Sequence, residues 1–557
     1  MPRPSRPVLV AHGVSALLVL LLAGAWWSTA ASTADARLSA LQLVEPYALA
    51  VHEQLMVNFA RTGQFAQTVH RGYDDAWTWS GHRALTLPLV AWLHCLSPTT
   101  SWLLRIQLLG VLLGVVPAAL IGRSALRSGW GLLLGGAIYL SAPPVLALAL
   151  QDYQDLVFAV PALTFALWAA RSERWWLVVI GTMVAVLPRE ECIPLAVAAA
   201  LVTIPPKGPK AAPEESDGSI AGQVSRWRSR RTRRARGWHW LRNVLLSAAI
   251  VGAYGWWLQL RHPVHGQGYD MPLTSALTGL FTQQDLIFLD GWPYLSDFYL
   301  LVFLPLGALA LLSPLPLLPA LALIFLHLTV PEGMGVDRSW AGHAHHLATA
   351  VPFVVVATID GAARLLRLAR RLPGRGGGSA AIALAVAMVV VATWQDGAWA
   401  RRFNLVFAGH PAWNHPAWEL AARIPAEAVP ITTKGIAVVV ATWPRSFTYD
   451  DSLDDKAAAE GLGAGDWLLA DARQQDIVAR GKAMAGAEVV AESGPFVLLH
   501  WPTDSVDRTW MRYRDKRMAK APPYTGNYPR RTDIPGVPPF ETRPPGSTVP
   551  HIRLPWR

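Results

Sequence analysis

The stretch VLVAHGVSALLVLLLAGAWWSTA, Val8 to Ala30, carries no charged residue and is long enough to cross a hydrocarbon core as one α-helix. It follows Arg3 and Arg6, a basic flank of the kind that holds a helix end on the cytoplasmic side. Small residues near Ala31 and Ala36 resemble a signal-peptide cleavage site, but the length of the apolar run favours an uncleaved anchor.

Blocks of the same kind recur at about Trp102 to Ile121, Gly129 to Leu148, Leu156 to Ala170, Trp175 to Leu187, Ile193 to Ile204, Leu241 to Leu260, Tyr299 to Leu312, Leu315 to Val330, Leu347 to Ile359 and Ala380 to Thr393. Composition agrees: of 557 residues 52% are hydrophobic, 26 are Trp and only 16% are charged, too apolar for an ordinary soluble enzyme. Backbone inside hydrocarbon satisfies its polar groups as a helix or a closed barrel, and the alternation a barrel needs is absent. The expected fold is an all-α polytopic membrane bundle of about eleven transmembrane helices, residues 1–394, with a small C-terminal α/β soluble domain.

Arginine distribution sets the expected orientation. Arg123 with Arg127, Arg171 with Arg174, the run Arg226 to Arg236, and Arg364 through Arg375 fall between blocks, and all become cytoplasmic if Ala84 to Leu96 does not cross. That segment is therefore read as an interfacial or re-entrant helix closing a first outer loop over residues 31–100. The chain then belongs to a cytoplasmic (inner) membrane as a multi-pass protein, with a cytoplasmic N-terminus and its C-terminal domain on the outer, periplasmic side. The net charge of +11 is mostly an orientation signal, because the 206–240 loop is rich in Arg with only Glu214, Glu215 and Asp217 against it. Nucleic acid is not an expected partner; membrane lipid is.

Composition changes after residue 394, and 395–502 reads as the soluble domain. Trp418 to Arg423 and Gln474 to Ala485 read as helices. Ala437 to Ala441, Trp467 to Ala470, Glu488 to Ala491 and Phe496 to His500 read as strands, the last two flanking a Ser-Gly-Pro turn. The tail, 503–557, is rich in Pro and Arg and is expected to lack fixed structure. Cys95 and Cys192 both sit in apolar segments, so neither a disulfide framework nor a CxxC site is available.

Ionisable groups at a membrane boundary are costly and mark candidate sites. On the expected topology the acidic and histidine-bearing segments share the outer face. EPYALAVHEQL offers Glu45, His52, Glu53 and Gln54, with Glu53 the preferred acid; an interfacial helix whose polar residues meet water is the alternative. Asp74, Asp75 and His82 follow. QDYQD places Asp152 and Asp155 one helical turn apart, able to converge on a cation, a phosphate-bound metal or a hydroxyl proton, or simply to cap a helix. Arg189 and Glu190, with Glu191, interrupt an apolar run and could pair with each other. His343, His345 and His346 in GHAHH name no complete ligand set, so a metal is unassigned, with a divalent cation such as Mg or Mn open. Walker, GxGxxG, Ser-His-Asp and HExxH patterns are missing, which argues against a nucleotide-driven pump or a serine hydrolase.

At these residues the chain resembles the family of predicted membrane proteins called domain of unknown function 2079, grouped with GT-C-type glycosyltransferases. YALAVHEQL resembles the family's YDLGIFDQ element, keeping Tyr47 and Gln54 with Glu53 at the acid, but with Ala48 in place of its first Asp. GHRALTLPLVAWL and SWLLRIQ resemble its His, Pro and LLxxQ elements at His82, Pro88 and Gln107; DYQD resembles DFHP, keeping Asp152 but with Gln154 for His. REE, HHLATAVP, AARIPAEAVPITT and DWLLADAR resemble later elements, at Arg189 to Glu191, at His345 and Pro352, and in the soluble domain. The resemblance implies transfer of a sugar from a polyprenyl-phosphate carrier to an acceptor outside the membrane. Glu53 or Asp152 would be the base, and His82, Asp155, Arg189, Glu190 and His345 would contact substrate. A transporter, or a non-catalytic scaffold or lipid-binding protein, are the rival classes.

Overall fold

The computed structural model describes residues 6–43, 46–62, 65, 69, 84–172, 174–189, 192–201, 307–328, 348–370, 415–426, 428–443, 446–449 and 465–502, with isolated helical positions between 238 and 253. The 206–240 loop is thus almost wholly outside the described residues, as are the tail, Glu45, Asp74, Asp75, His82, Glu190, Glu191, His343, His345 and His346. By contacts the chain forms two compact units. One comprises Met1–Ala30, Leu108–Leu150 and Asp155–Val406; the other comprises Ala31–Gln107, Gln151–Gln154 and Phe407–Arg557.

The first unit is helical. Helix α1 (Arg6–Ser39) begins in it with Leu9, Leu17, Leu20 and Leu21 exposed, an apolar surface that fits lipid. Helices α4 (Thr100–Leu112) and α5 (Val115–Leu126) run on as one span, Thr100–Leu126. Leu9–Ser39 and Thr100–Leu126 are long and apolar enough to cross a membrane. A third candidate, α6 (Trp130–Leu140) with α7 (Pro143–Leu150), bends by 55° where Pro143 and Pro144 interrupt the helical hydrogen bonds. The other helices described in this unit are α8 (Ala159–Arg171), α9 (Trp175–Val186), α10 (Ile193–Leu201), α11 (Gly307–Leu311), α12 (Pro314–Leu328) and α13 (Val351–Ala369). Close approach rests on glycine: a Cβ at Gly122 would lie 2.2 Å from the Gly131 carbonyl oxygen, and one at Gly135 2.1 Å from that of Ala118, so α5 and α6 touch through backbone. Tyr139 then donates to the Val111 carbonyl at 2.6 Å. Asp360 on α13 is paired with Arg171 of α8, and Arg364 and Arg367 donate to the carbonyls of Leu312 and Ala125 that end neighbouring helices.

The second unit takes the end of α1, then α2 (Pro46–Thr62), α3 (Leu87–His94) and a C-terminal α/β layer. Helix α1 does not stop near Ala30, as the apolar run suggests, but continues to Ser39, because Asp35 and Arg37 find buried partners and the first strong break is Leu41 at φ 53°. Helix α3 has eight residues, about 12 Å of rise, less than half of a hydrocarbon core. The layer contains α14 (Pro416–Ala421), α15 (Gln475–Lys482) and a five-stranded sheet in the order β2-β1-β3-β5-β4. Its strands are β1 (Pro430–Thr433), β2 (Phe447–Tyr449), β3 (Trp467–Asp471), β4 (Glu488–Ser493) and β5 (Phe496–His500). Strand β1 is parallel to β2 and β3, whereas β4 and β5 form an antiparallel hairpin turned at Gly494, φ 57°.

Strand periodicity sends Ile431, Phe447, Tyr449, Leu468, Val497 and Leu499 to one face, where they pack with Ile477, Val478 and Trp501. Ala437 to Ala441 is not a strand. Lys434–Val440 is a 3-10 helix, fully buried from Ile436 onward, and β1 lies just before it. A short apolar run bounded by turn residues fits either state by pattern, and here tertiary packing decided.

Candidate functional site

Helix α2 is buried on all sides around its centre: Leu49 to Val57 are all below 8% exposed, with Glu53 and Gln54 at 0%. This excludes an interfacial helix whose polar residues meet water. Each residue of the His52-Glu53-Gln54 triplet reaches a different partner. The His52 Nδ1 faces the Ala48 carbonyl at 2.8 Å, and since a carbonyl only accepts, Nδ1 carries the proton and donates. Its ring meets that of Tyr153, centroids 4.9 Å apart. Gln54 Nε2 donates to the Trp443 carbonyl (3.2 Å) and to Ser446 Oγ (3.1 Å), while Oε1 accepts from Val69 N–H (3.1 Å). One carboxamide thus ties α2 to the C-terminal layer and to its own loop.

Glu53 Oε2 lies 3.3 Å from His94 Nε2 on α3, both side chains at 0% exposure. Among the described residues neither group has a well-aligned hydrogen bond. A lone buried carboxylate is strongly disfavoured, and His94 is the basic group placed to offset Glu53.

The second acid is built from the last turn of α1. Arg37 Nη2 lies 3.7 Å from Asp152 Oδ1, and Arg37 Nε donates to the Gln42 carbonyl at 3.1 Å. Asp35, two residues back, accepts from Arg105 at 2.5 Å and from Ser101, both on α4. Asp35, Asp152 and Glu53 are thus matched by Arg105, Arg37 and His94. Gln151–Gln154 is buried and non-helical, so the helical turn expected to join Asp152 to Asp155 is not formed. Gln107 on α4 takes up two of its backbone groups: Nε2 donates to the Gln151 carbonyl at 2.8 Å and Oε1 accepts from Gln154 N–H at 2.7 Å.

Asp155 belongs to the first unit, where it opens a 3-10 helix, Asp155–Phe158, and accepts from Arg189 Nε at 2.6 Å, both buried. Arg189, expected beside Glu190, therefore has Asp155 as a partner. The sequence reading missed Asp35, Arg37, His94 and Arg105. The signal for two of them was available: Arg105 interrupts an apolar span and Asp35 ends one, and such charges require counter-ions. Among the described residues no three His, Cys, Asp or Glu side chains converge as metal ligands.

These apolar spans and buried ion pairs, joined to a small α/β layer, define a helical membrane protein. The chain belongs to the family of predicted membrane proteins DUF2079, whose model matches residues 40–502. No curated protein matches it. Among solved structures it is similar to the crystal structure of ArnT from Cupriavidus metallidurans in the apo state, with 13% identity, a TM-score of 0.47, and coverage of 88% of this chain and 98% of that one.

Proposed function

We propose that this protein is an integral-membrane glycosyltransferase that moves a sugar from a polyprenyl-phosphate carrier to an acceptor on the outer face of the membrane. The bundle would have about eleven spans and sit in the inner membrane, N-terminus inside. What carries the reading is one arrangement. Two buried carboxylates from distant stretches of sequence, Glu53 and Asp152, belong to one compact unit, each faces a basic group, and His52 and Tyr153 join their segments.

In the reaction the acceptor oxygen would bond to the anomeric carbon as the bond from that carbon to the phosphate oxygen breaks. A carboxylate takes the acceptor's proton, and a cation offsets charge on the departing phosphate. Glu53 is the favoured base, with His94 beside it to share the proton, and Asp152 the alternative. Arg37, opposite Asp152, is the favoured phosphate contact. His82, Asp155, Arg189, Glu190 and His345 remain proposed substrate contacts. The described carboxylates are already matched by bases and do not fit a divalent-cation site, so no step is routed through Mg or Mn. Ala48 and Gln154, where the family pattern has Asp and His, leave the acceptor open.

The test is transfer of labelled sugar from a panel of polyprenyl-phosphate sugars by purified protein in lipid, comparing wild type with Glu53→Gln and Asp152→Asn. Loss of transfer in either variant, with the fold kept, supports the enzyme. Absence of transfer by wild type across the panel favours a non-catalytic or transport role.

A further inference from the structure

The segment between α7 and the 3-10 helix at Asp155 breaks the helical ladder inside the protein: Gln151, Asp152, Tyr153 and Gln154 are each no more than 4% exposed. Buried irregular backbone must find partners for its N–H and C=O groups, and a continuous helix would have supplied them without help. Two of them, at the two ends of the segment, come from one side chain. The Gln107 carboxamide, itself fully buried, has the donor and acceptor of a peptide group, and it spans the segment from the Gln151 carbonyl to the Gln154 N–H.

The two residues between these anchors are the ones with functional partners: Asp152 faces Arg37 and the Tyr153 ring meets His52, next to Glu53. We propose that Gln107 is a positioning residue, a carboxamide clamp that fixes the Gln151–Gln154 segment so that Asp152 meets Arg37 and Tyr153 meets His52. Its link to sugar transfer rests on the function proposed above; the clamp itself does not.

Two substitutions separate the clamp from mere filling of space. Gln107→Leu keeps the volume and removes both bonds. Gln107→Glu keeps the shape and the acceptor but loses the donor while ionised, and regains it when the carboxyl is protonated. Amide hydrogen exchange of the full chain in lipid nanodiscs, read on a peptide spanning residues 149–156, is compared with wild type at each pH. Gln107→Leu is expected to speed exchange there about tenfold, as loss of a buried hydrogen bond implies, with peptides from the sheet unchanged. Gln107→Glu is expected to move back toward wild type as the pH is lowered, and any sugar transfer to shift to acid pH with it. In Gln107→Leu, transfer is expected to lose kcat with KM little changed.

Wild-type exchange in Gln107→Leu, or Gln107→Glu that behaves like Gln107→Leu at every pH, overturns the clamp. Failure of wild type to transfer any sugar removes the glycosyltransferase reading instead, and the exchange data still decide the clamp.

Discussion

Glu53 and His94 are 3.3 Å apart and wholly buried, so each is the counterpart that makes the other's burial tolerable. Removing one partner leaves an uncompensated group, and Glu53→Ala or His94→Ala is expected to lower stability by about 3–5 kcal/mol. Replacing both, Glu53→Met with His94→Leu, is expected to cost much less than the sum, because no charge is left stranded. Denaturation midpoints of the four proteins in one detergent give the coupling directly, and additive costs would show that the two do not act as a pair. Glu53, Asp152, Asp155 and Arg189 could all be singled out from the sequence, since charges in apolar surroundings stand out one at a time. Their partners could not be named. His94 looks like the end of an interfacial helix, Arg37 like the flank of a span, and Arg189 has an acid next to it in sequence but bonds one 34 positions away. Pairing depends on which helix ends meet, which no local pattern encodes.

Helices α5 and α6 meet where Gly122, Gly131 and Gly135 bring backbone against backbone, so side-chain volume there has nowhere to go. Gly122→Val is expected to prevent folding or lower the midpoint severely, whereas Gly24→Ala, with no atom within 4 Å of the added carbon, is expected to be silent. Size-exclusion profiles of the two variants in detergent check this, and a well-behaved Gly122→Val would show that the helices can part. At α14 the local rule is capping. His415 Nδ1 accepts from the Ala417 N–H, which needs a neutral ring, and partial burial holds its pKa below the usual 6.5. The unfolded chain therefore binds the proton first as pH falls through 6.5, so this contribution is intact above that value and declines below it. Thermal midpoints should fall from neutral pH towards about pH 5.5, and His415→Asn, which caps without titrating, should flatten that component; an unchanged slope would assign it elsewhere. Strands β3, β4 and β5 were legible because alternation and a Ser-Gly-Pro turn frame them. The Ala437–Ala441 run was misread because a short apolar, valine-rich stretch buried on all sides has no period to display.

For the molecule as a whole, the apolar blocks and the change to a soluble composition were legible because both are properties of averaged sequence. That 31–107 and 151–154 would join 407–557 in one compact unit was not, since it depends on pairs such as Gln54 with Ser446 and Arg37 with Asp152. This membership constrains topology. On the proposed topology the segments of the unit that includes the sheet share one face, so the chain would leave that face after Gln107 and return by Gln151. Helices α4 and α5 followed by the bent pair α6 and α7 are the candidates for such a pair of crossings, with Arg123 and Arg127 between them. Helix α3, too short to cross, preserves the parity. Basic residues favour the cytoplasm, so the proposed topology has the far end inside and the sheet outside. Reporter fusions check it: alkaline phosphatase joined after Pro502 is expected to be active and green fluorescent protein there dark, with the reverse for fusions in the 206–240 loop. The opposite pattern would put Glu53 and Asp152 on the cytoplasmic face. It would leave every ion pair described here standing, but would remove outer-face sugar transfer, because acceptor and donor head group would then be on the wrong side of the membrane.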